Sequence, residues 1–160
     1  MDGIRMAQDS WALPPIEKIY EAYSAVADGR VTMSDSSATV SSSDYKKTYT
    51  IEWSEDAYSS NDNASCWQGY MGYPLIAVLM LKGRLDYDKT VAACFKGVNW
   101  KELNTAYKNQ YGKAADAVLE RLAHEGNDAA KIKQDAESVY EQIKRLNIKR
   151  RRGKTRPPAK

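Results

Sequence analysis

A chain of 160 residues with 42% apolar and 28% charged residues, 9 Gly and 5 Pro has the size and composition of one globular domain, which excludes collagen-like, coiled-coil and wholly disordered chains. The net charge of +3 conceals an asymmetry: nine of the 24 basic residues lie between 144 and 160, where no acid occurs, so residues 1–143 hold 15 basic against all 21 acidic residues and carry −6. The longest apolar run, 73–81, has nine residues, under half the length of a membrane-spanning helix.

Eleven Tyr and four Trp against one Phe predict a core with polar edges, because a buried phenol or indole seeks a hydrogen-bond partner at its polar end. Cys66 and Cys94 belong to no shared motif and the chain opens on no signal-peptide pattern, which points to free thiols and a cytoplasmic location.

Residues 1–13 show no clean period and are expected to form a loose arm anchored by Trp11 and Leu13. Pro14 and Pro15 lead into a helix, since proline suits a first helical turn. Ile16, Ile19, Tyr20, Tyr23, Val26 and Ala27 recur at helical spacing along one apolar face, and Asp28-Gly29 ends it. From 48 to 53 the pattern alternates: Tyr49, Ile51 and Trp53 point one way, Thr48, Thr50 and Glu52 the other, as in a half-buried strand. Residues 30–33, 39–41 and 57–60 are its expected shorter neighbours, separated by Ser/Asp turn clusters. The expectation is an antiparallel meander of three or four strands.

Gly69, Gly72 and Pro74 interrupt the next stretch, and Asp62 or Asn63 is placed to cap a short helical turn. Residues 75–81 are apolar on every side, so this helix belongs in the centre of the fold. Asp86 or Asp88 caps a short helix running through Val91, Ala92 and Phe95 to Gly97. A longer helix starts near Asn99 and carries Leu103, Tyr107, Tyr111, Ala114, Val118 and Leu122 to Gly126. Asn127 caps the last helix, whose stripe is Ile132, Ala136, Val139, Tyr140, Ile143 and Leu146. The whole reads as an α+β fold: residues 1–149 form one domain with an N-terminal helix, a small meander and a helical C-terminal half. Residues 150–160 offer no apolar face to bury and are expected to be a disordered basic tail.

The usual catalytic and metal-binding signatures are missing. His124, the one histidine, has no acid and nucleophile at a recognisable spacing, and as a cation near a helix C-terminus it suits the dipole. Two cysteines and one histidine do not make a zinc site, and no phosphate-binding glycine loop is present. No catalytic residue, metal or cofactor is implied, and the residue set favours binding over catalysis.

Three binding candidates remain. Asn61, Asp62, Asn63, Trp67, Gln68, Tyr70 and Tyr73 form a polar-aromatic segment leading into a buried helix, suited to a small molecule or an enzyme substrate. Ala93, Gly97, Val98, Leu103 and Ala106 resemble the spacing of a helix-turn-helix unit, which would present Lys101, Glu102, Asn104, Thr105, Lys108 and Asn109 to a nucleic acid. The tail residues Lys149, Arg150, Arg151, Arg152, Lys154 and Arg156 suit a phosphate backbone or an acidic protein, although no aromatic interleaves them for base stacking. Turn and cap chemistry accounts for the first set, helix packing for the second, and a solvated or self-clasping end for the third.

Overall fold

The computed structural model describes residues 10–153 and 155–158. Among them are six α-helices, one π-helical turn and a five-stranded sheet, with the helices concentrated in the C-terminal half. The fold is α+β. Lys154 and most of the expected N-terminal arm lie outside the described residues.

Helix α1 (Glu17–Ala27) follows Pro14-Pro15 and is the hub of the helical layer. Eight consecutive residues, 18–25, are buried, so its polar side is enclosed along with its apolar one. That departs from the one-faced helix expected from the spacing: α1 packs on α2 (Tyr73–Leu81), α3 (Lys89–Ala93), α5 (Tyr111–His124) and α6 (Ala129–Arg145), which leaves it little solvent face. Inside this layer Ser24 Oγ accepts a hydrogen bond from Trp100 Nε1 at 2.8 Å and donates to the Phe95 carbonyl at 2.7 Å. The indole thereby finds its polar partner where no water reaches.

Strands β1 (Val31–Met33), β2 (Ser37–Ser41), β3 (Thr48–Ser54) and β4 (Ala57–Ser60) form an antiparallel meander in chain order. The expected antiparallel sheet is corrected to a mixed one of five strands, because β5 (Lys149–Arg150) joins β4 in parallel. Lys149 N–H donates to the Asp56 carbonyl at 2.7 Å and Arg151 N–H to that of Tyr58 at 2.9 Å, satisfying backbone groups that β4 would otherwise leave at an open edge. Two residues suffice, too few for any alternating pattern to announce them.

Ile51 is fully buried in β3, and Trp53 stacks on Tyr58 of β4, so the alternation places Tyr49, Ile51 and Trp53 on the face that meets α2. Helix α2 is enclosed from Pro74 to Met80, and Leu75, Ile76 and Leu79 are fully buried. Each such side chain contributes roughly 1.5–3 kcal/mol through burial, so this nine-residue helix is held by packing rather than by propensity.

The long helix expected from Asn99 is two: α4 (Trp100–Ala106) and α5, broken by Lys108 and Asn109 at φ 54° and 63°. An asparagine tolerates this left-handed region better than most residues, and the apolar spacing continues across the break, which concealed it. The expected capping role of Asn127 is also corrected. Asp128 caps α6 by accepting from Lys131 N–H, whereas the Asn127 amide donates back to the Leu122 carbonyl at 3.1 Å and closes α5. Asp88 and Asn99 cap α3 and α4 as their positions suggest. Among the described residues no helix is long and apolar enough to cross a membrane.

Candidate functional site

A cleft of about 210 Å³ opens where α1, the β2–β3 turn, the loop after β4 and the break between α4 and α5 meet. Its geometry begins with Asp62. The Asp62 carboxylate accepts from Ser60 Oγ at 2.5 Å and from Ser65 N–H at 3.2 Å, starting the π-helical turn Ala64–Gln68. Gly69 at φ 76° then reverses the chain, and the Gly72 N–H donates to Ser65 Oγ at 3.4 Å. This folded loop presents Asn63, Gln68, Tyr70 and Tyr73 to the cleft.

The opposite wall comes from the helices. Ser43 Oγ accepts from Lys101 N–H at 2.9 Å and donates to Asn99 Oδ1 at 3.3 Å, which ties the β2–β3 turn to the start of α4. Lys101, Asn104 and Thr105 line the cleft from α4, Asn109 from the strained break and Tyr111 from the start of α5. Tyr49 meets the Tyr73 ring edge to face, with centroids 6.3 Å apart at 86°.

At the cleft lies a buried ion pair. Lys18 Nζ is 3.4 Å from Glu21 Oε2, with side-chain exposures of 11% and 7%. Lys18 also sits 4.2 Å from the centre of the Tyr111 ring, a cation–π contact. Burial lifts the Glu21 carboxyl above the usual range, and the opposing pull of the Lys18 ammonium does not cancel it. For Lys18, burial acts downward, but Glu21, Tyr111 and Tyr70 outweigh it and hold the ammonium above its ordinary value. Burial also raises the Tyr49, Tyr70 and Tyr73 phenols, keeping them protonated and able to donate.

Arg30 backs the Tyr73 side of this wall. Its Nε bonds Asp28 Oδ2 at 3.1 Å, its Nη1 donates to the Ser41 carbonyl at 2.7 Å, and its guanidinium carbon lies 5.8 Å from the centre of the Tyr73 ring. Its Nη2 is buried with no partner among the described residues.

The structure divides the sequence candidates. Asp62, Asn63, Gln68, Tyr70 and Tyr73 line the cleft, and Lys101 joins them there rather than joining the tail. Asn61 does not line it: its side chain accepts from Thr50 N–H at 2.7 Å and donates to the Arg156 carbonyl at 2.8 Å. Trp67 is 74% exposed on the outside of the π turn. Lys108 is exposed beside the cleft's strained corner but lines nothing.

The described tail residues run along the body. Arg150 Nη2 donates to the carbonyls of Ser65 and Cys66 at 2.9 and 3.4 Å, a cation on the acceptor end of the π turn. Lys149, Arg151 and Arg152 are exposed.

Sequence reasoning missed Lys18, Glu21, Tyr49 and Tyr111, and placed Asn104 and Asn109 on a nucleic-acid face rather than in the cleft. The one available signal was Lys18 and Glu21 at i, i+3 in a helix otherwise committed to the core. Chemically, the cleft offers uncommitted groups of both kinds. The amides of Asn63, Gln68, Asn104 and Asn109 and the phenols of Tyr49, Tyr70 and Tyr111 make no side-chain hydrogen bond among the described residues.

Every residue lining the cleft falls within residues 11–149, the span matched by the family model described as "Uncharacterised conserved protein UCP014422". The chain belongs to this family. The matched span takes in Lys149, the first residue of β5, and stops before Arg150. No curated protein and no solved structure matches the chain.

Proposed function

We propose that this protein binds a small, hydroxyl-rich molecule in the cleft above Lys18 and Glu21. The observation that carries the reading is the concentration of unused amides and protonated phenols around a buried, self-compensated ion pair. Amides and phenols both donate and accept, which matches neighbouring hydroxyls on a sugar or polyol, and tyrosine faces suit the C–H surface between those hydroxyls. The opposed charges of Lys18 and Glu21 leave little net field, and Asp62 is engaged by Ser60 and Ser65. The volume of about 210 Å³ falls below the range usual for drug-sized ligands and favours a compact one.

The test is an amide-correlation NMR titration of the full chain with ribose, glucose and myo-inositol, with 1-butanol as the apolar control. The expected result is a saturable shift of Asn63, Gln68, Asn104 and Asn109 with at least one polyol and none with butanol. Asn104→Ala combined with Asn109→Ala should weaken it at least tenfold. Absence of saturable shifts with all three polyols, or shifts confined to another surface, would overturn the proposal.

The exposed Lys149, Arg151 and Arg152 support a second reading, contact of the tail with a nucleic-acid backbone. A truncation ending at Lys149 that keeps the affinity and salt dependence of the full chain for oligonucleotides would remove it.

A further inference from the structure

We infer that the exposed Trp67 indole and the basic strip that runs beside β4 form one surface whose partner is single-stranded nucleic acid, a base stacking on Trp67 while the strip holds the phosphates. The inference rests on the second reading above and adds to it a strand type and a base contact. The tail carries no aromatic residue of its own, and the fold brings one to it.

The strip is held by its backbone. Arg151 N–H donates to the Tyr58 carbonyl at 2.9 Å, and the Arg156 carbonyl accepts from the Asn61 side chain at 2.8 Å. Between them Gly153 lies against Ser59, where a Cβ would come within 2.9 Å of the serine Oγ. Backbone contacts of this kind leave the side chains to solvent: Lys149, Arg151, Arg152 and Arg156 are all exposed. None of these four forms an ion pair among the described residues. Two acids stand near the strip. Asp56 is engaged by Arg84 at 3.5 Å, and Glu52 Oε1 would lie 3.7 Å from the same Gly153 Cβ, so the strip keeps an excess of positive charge.

Trp67 is joined to the strip through Arg150. The Arg150 guanidinium bonds the carbonyls of Ser65 and Cys66 at 2.9 and 3.4 Å, the second of them one peptide bond from Trp67. On the other side of Trp67, a Cβ at Gly69 would lie 4.0 Å from the guanidinium carbon. The π turn is thus pinned to the strip on both flanks of an indole that is 74% exposed and stacks on no other ring among the described residues. Tryptophan is on average a highly buried residue, so a ring displayed beside unpaired cations calls for a partner with both a flat face and negative charge. Single-stranded nucleic acid has both at every nucleotide, whereas the bases of a duplex are stacked on one another and closed to the indole. A bilayer would need a broader apolar face than Trp67 and the 46%-exposed Leu13 provide, and an acidic peptide matches the cations without supplying a flat face.

The test is fluorescence anisotropy of the full chain with fluorescein-labelled oligouridylate and oligothymidylate of about twelve nucleotides across a salt series. A duplex of the same length, polyglutamate and vesicles of phosphatidylcholine with phosphatidylglycerol are the controls. Saturable binding of at least one oligomer, about tenfold or more tighter than the duplex, is expected. Trp67→Ala should weaken it by about fivefold or more without changing its salt dependence, because stacking releases no counterions, and Trp67→Phe should restore most of the loss. Arg151→Gln combined with Arg152→Gln should weaken it and flatten the salt slope by about 1.4, the share of two phosphates on a single strand. A preference for oligouridylate assigns RNA, and one for oligothymidylate assigns DNA.

Full affinity in Trp67→Ala would overturn the inference. If the arginine pair still mattered, contact of the tail with a phosphate backbone would survive it; if neither variant changed the affinity, both readings would fall. No saturable binding of either oligomer, equal affinity for the duplex, or displacement by polyglutamate as effective as by unlabelled oligomer would also overturn it. So would vesicle binding that is lost in Trp67→Ala. The Trp67→Phe variant keeps the test decisive should alanine disturb the π turn, because it retains the ring.

Discussion

Replacing Gly72 by alanine tests how the cleft's loop is held. Gly72 has φ −75° and ψ 169°, ordinary extended backbone, so the substitution introduces no conformational strain. The obstacle is steric: a Cβ at this position would lie 2.7 Å from the Asp62 carboxyl carbon and 3.2 Å from its Oδ1, and closer still to Oδ2. Asp62 is 6% exposed and holds Ser60 Oγ and Ser65 N–H, so a retreat toward the cleft it lines pulls it away from these partners. Hydrogen bonds to a charged group are worth roughly 1.5–3 kcal/mol each, and displacing the carboxylate by the required ångström sacrifices at least one. The expected loss is about 3 kcal/mol, or roughly 6–12 °C in Tm at the 2–4 °C per kcal/mol typical of this chain length. Differential scanning calorimetry checks it, and the double-mutant cycle gives the cause. In an Asp62→Ala background the clash is gone, so Gly72→Ala should cost less than about 1 kcal/mol. A melting temperature within 2 °C of the parent's, or equal losses in both backgrounds, would refute the argument.

Lys18→Met leaves Glu21 buried without its partner, and breaking a buried pair in this way costs about 3–5 kcal/mol. Because burial raises the Glu21 pKa above its unfolded value, its ionised form opposes folding, and that cost sets in as pH rises from the ordinary carboxyl range through the raised folded value. The loss should therefore be larger at pH 8 than at pH 5, and equal urea midpoints at the two pH values would contradict it. Ser24→Ala strands the Trp100 N–H in a buried site, while the Phe95 carbonyl keeps its bond from Val98 N–H, and should cost about 1–3 kcal/mol, read from urea unfolding. Lys101→Ala, on the cleft rim and exposed, should leave stability within about 0.5 kcal/mol of the parent. Truncation after Ile148 removes β5 together with the bonds from Arg150 and to Arg156. It should speed hydrogen exchange across residues 61–70 while leaving α5 and α6 unchanged.

What was legible in the sequence were the elements whose burial follows a period. The alternation at Tyr49, Ile51 and Trp53 placed their common face, and the all-round apolarity of 75–81 placed a helix at the centre, because both are hydrophobic signals read locally. The loop carrying Asp62, Gln68 and Tyr70 was found as a candidate because turn-forming and ligand-binding residue types overlap; for the same reason Asn61 and Trp67 were grouped with it although neither lines the cleft. Lys18 and Glu21 were hidden by the assumption that a helix's charged side faces water, which fails when neighbours surround the helix. Strand β5 was invisible because its partner lies some ninety residues away and its two residues carry no pattern. The break at Lys108 and Asn109 was masked by an apolar spacing that runs through it, yet it delivers Asn109 to the cleft.

Trp11 Nε1 donates to the Lys149 carbonyl at 3.3 Å, and Ala12 N–H donates to Gly69 at 2.9 Å, so the two ends of the family-matched span meet beside one loop. The span is thus a ring closed without a covalent bond. A circular permutant that joins residue 151 to residue 11 through a short linker, and opens new ends at the exposed Glu55 turn between β3 and β4, keeps the β4–β5 pairing and disturbs only that one hairpin. The same closure makes the ends poor handles: a bulky fusion at either side pulls on the loop that forms the cleft wall, whereas one inserted at the 54–57 turn leaves that loop alone.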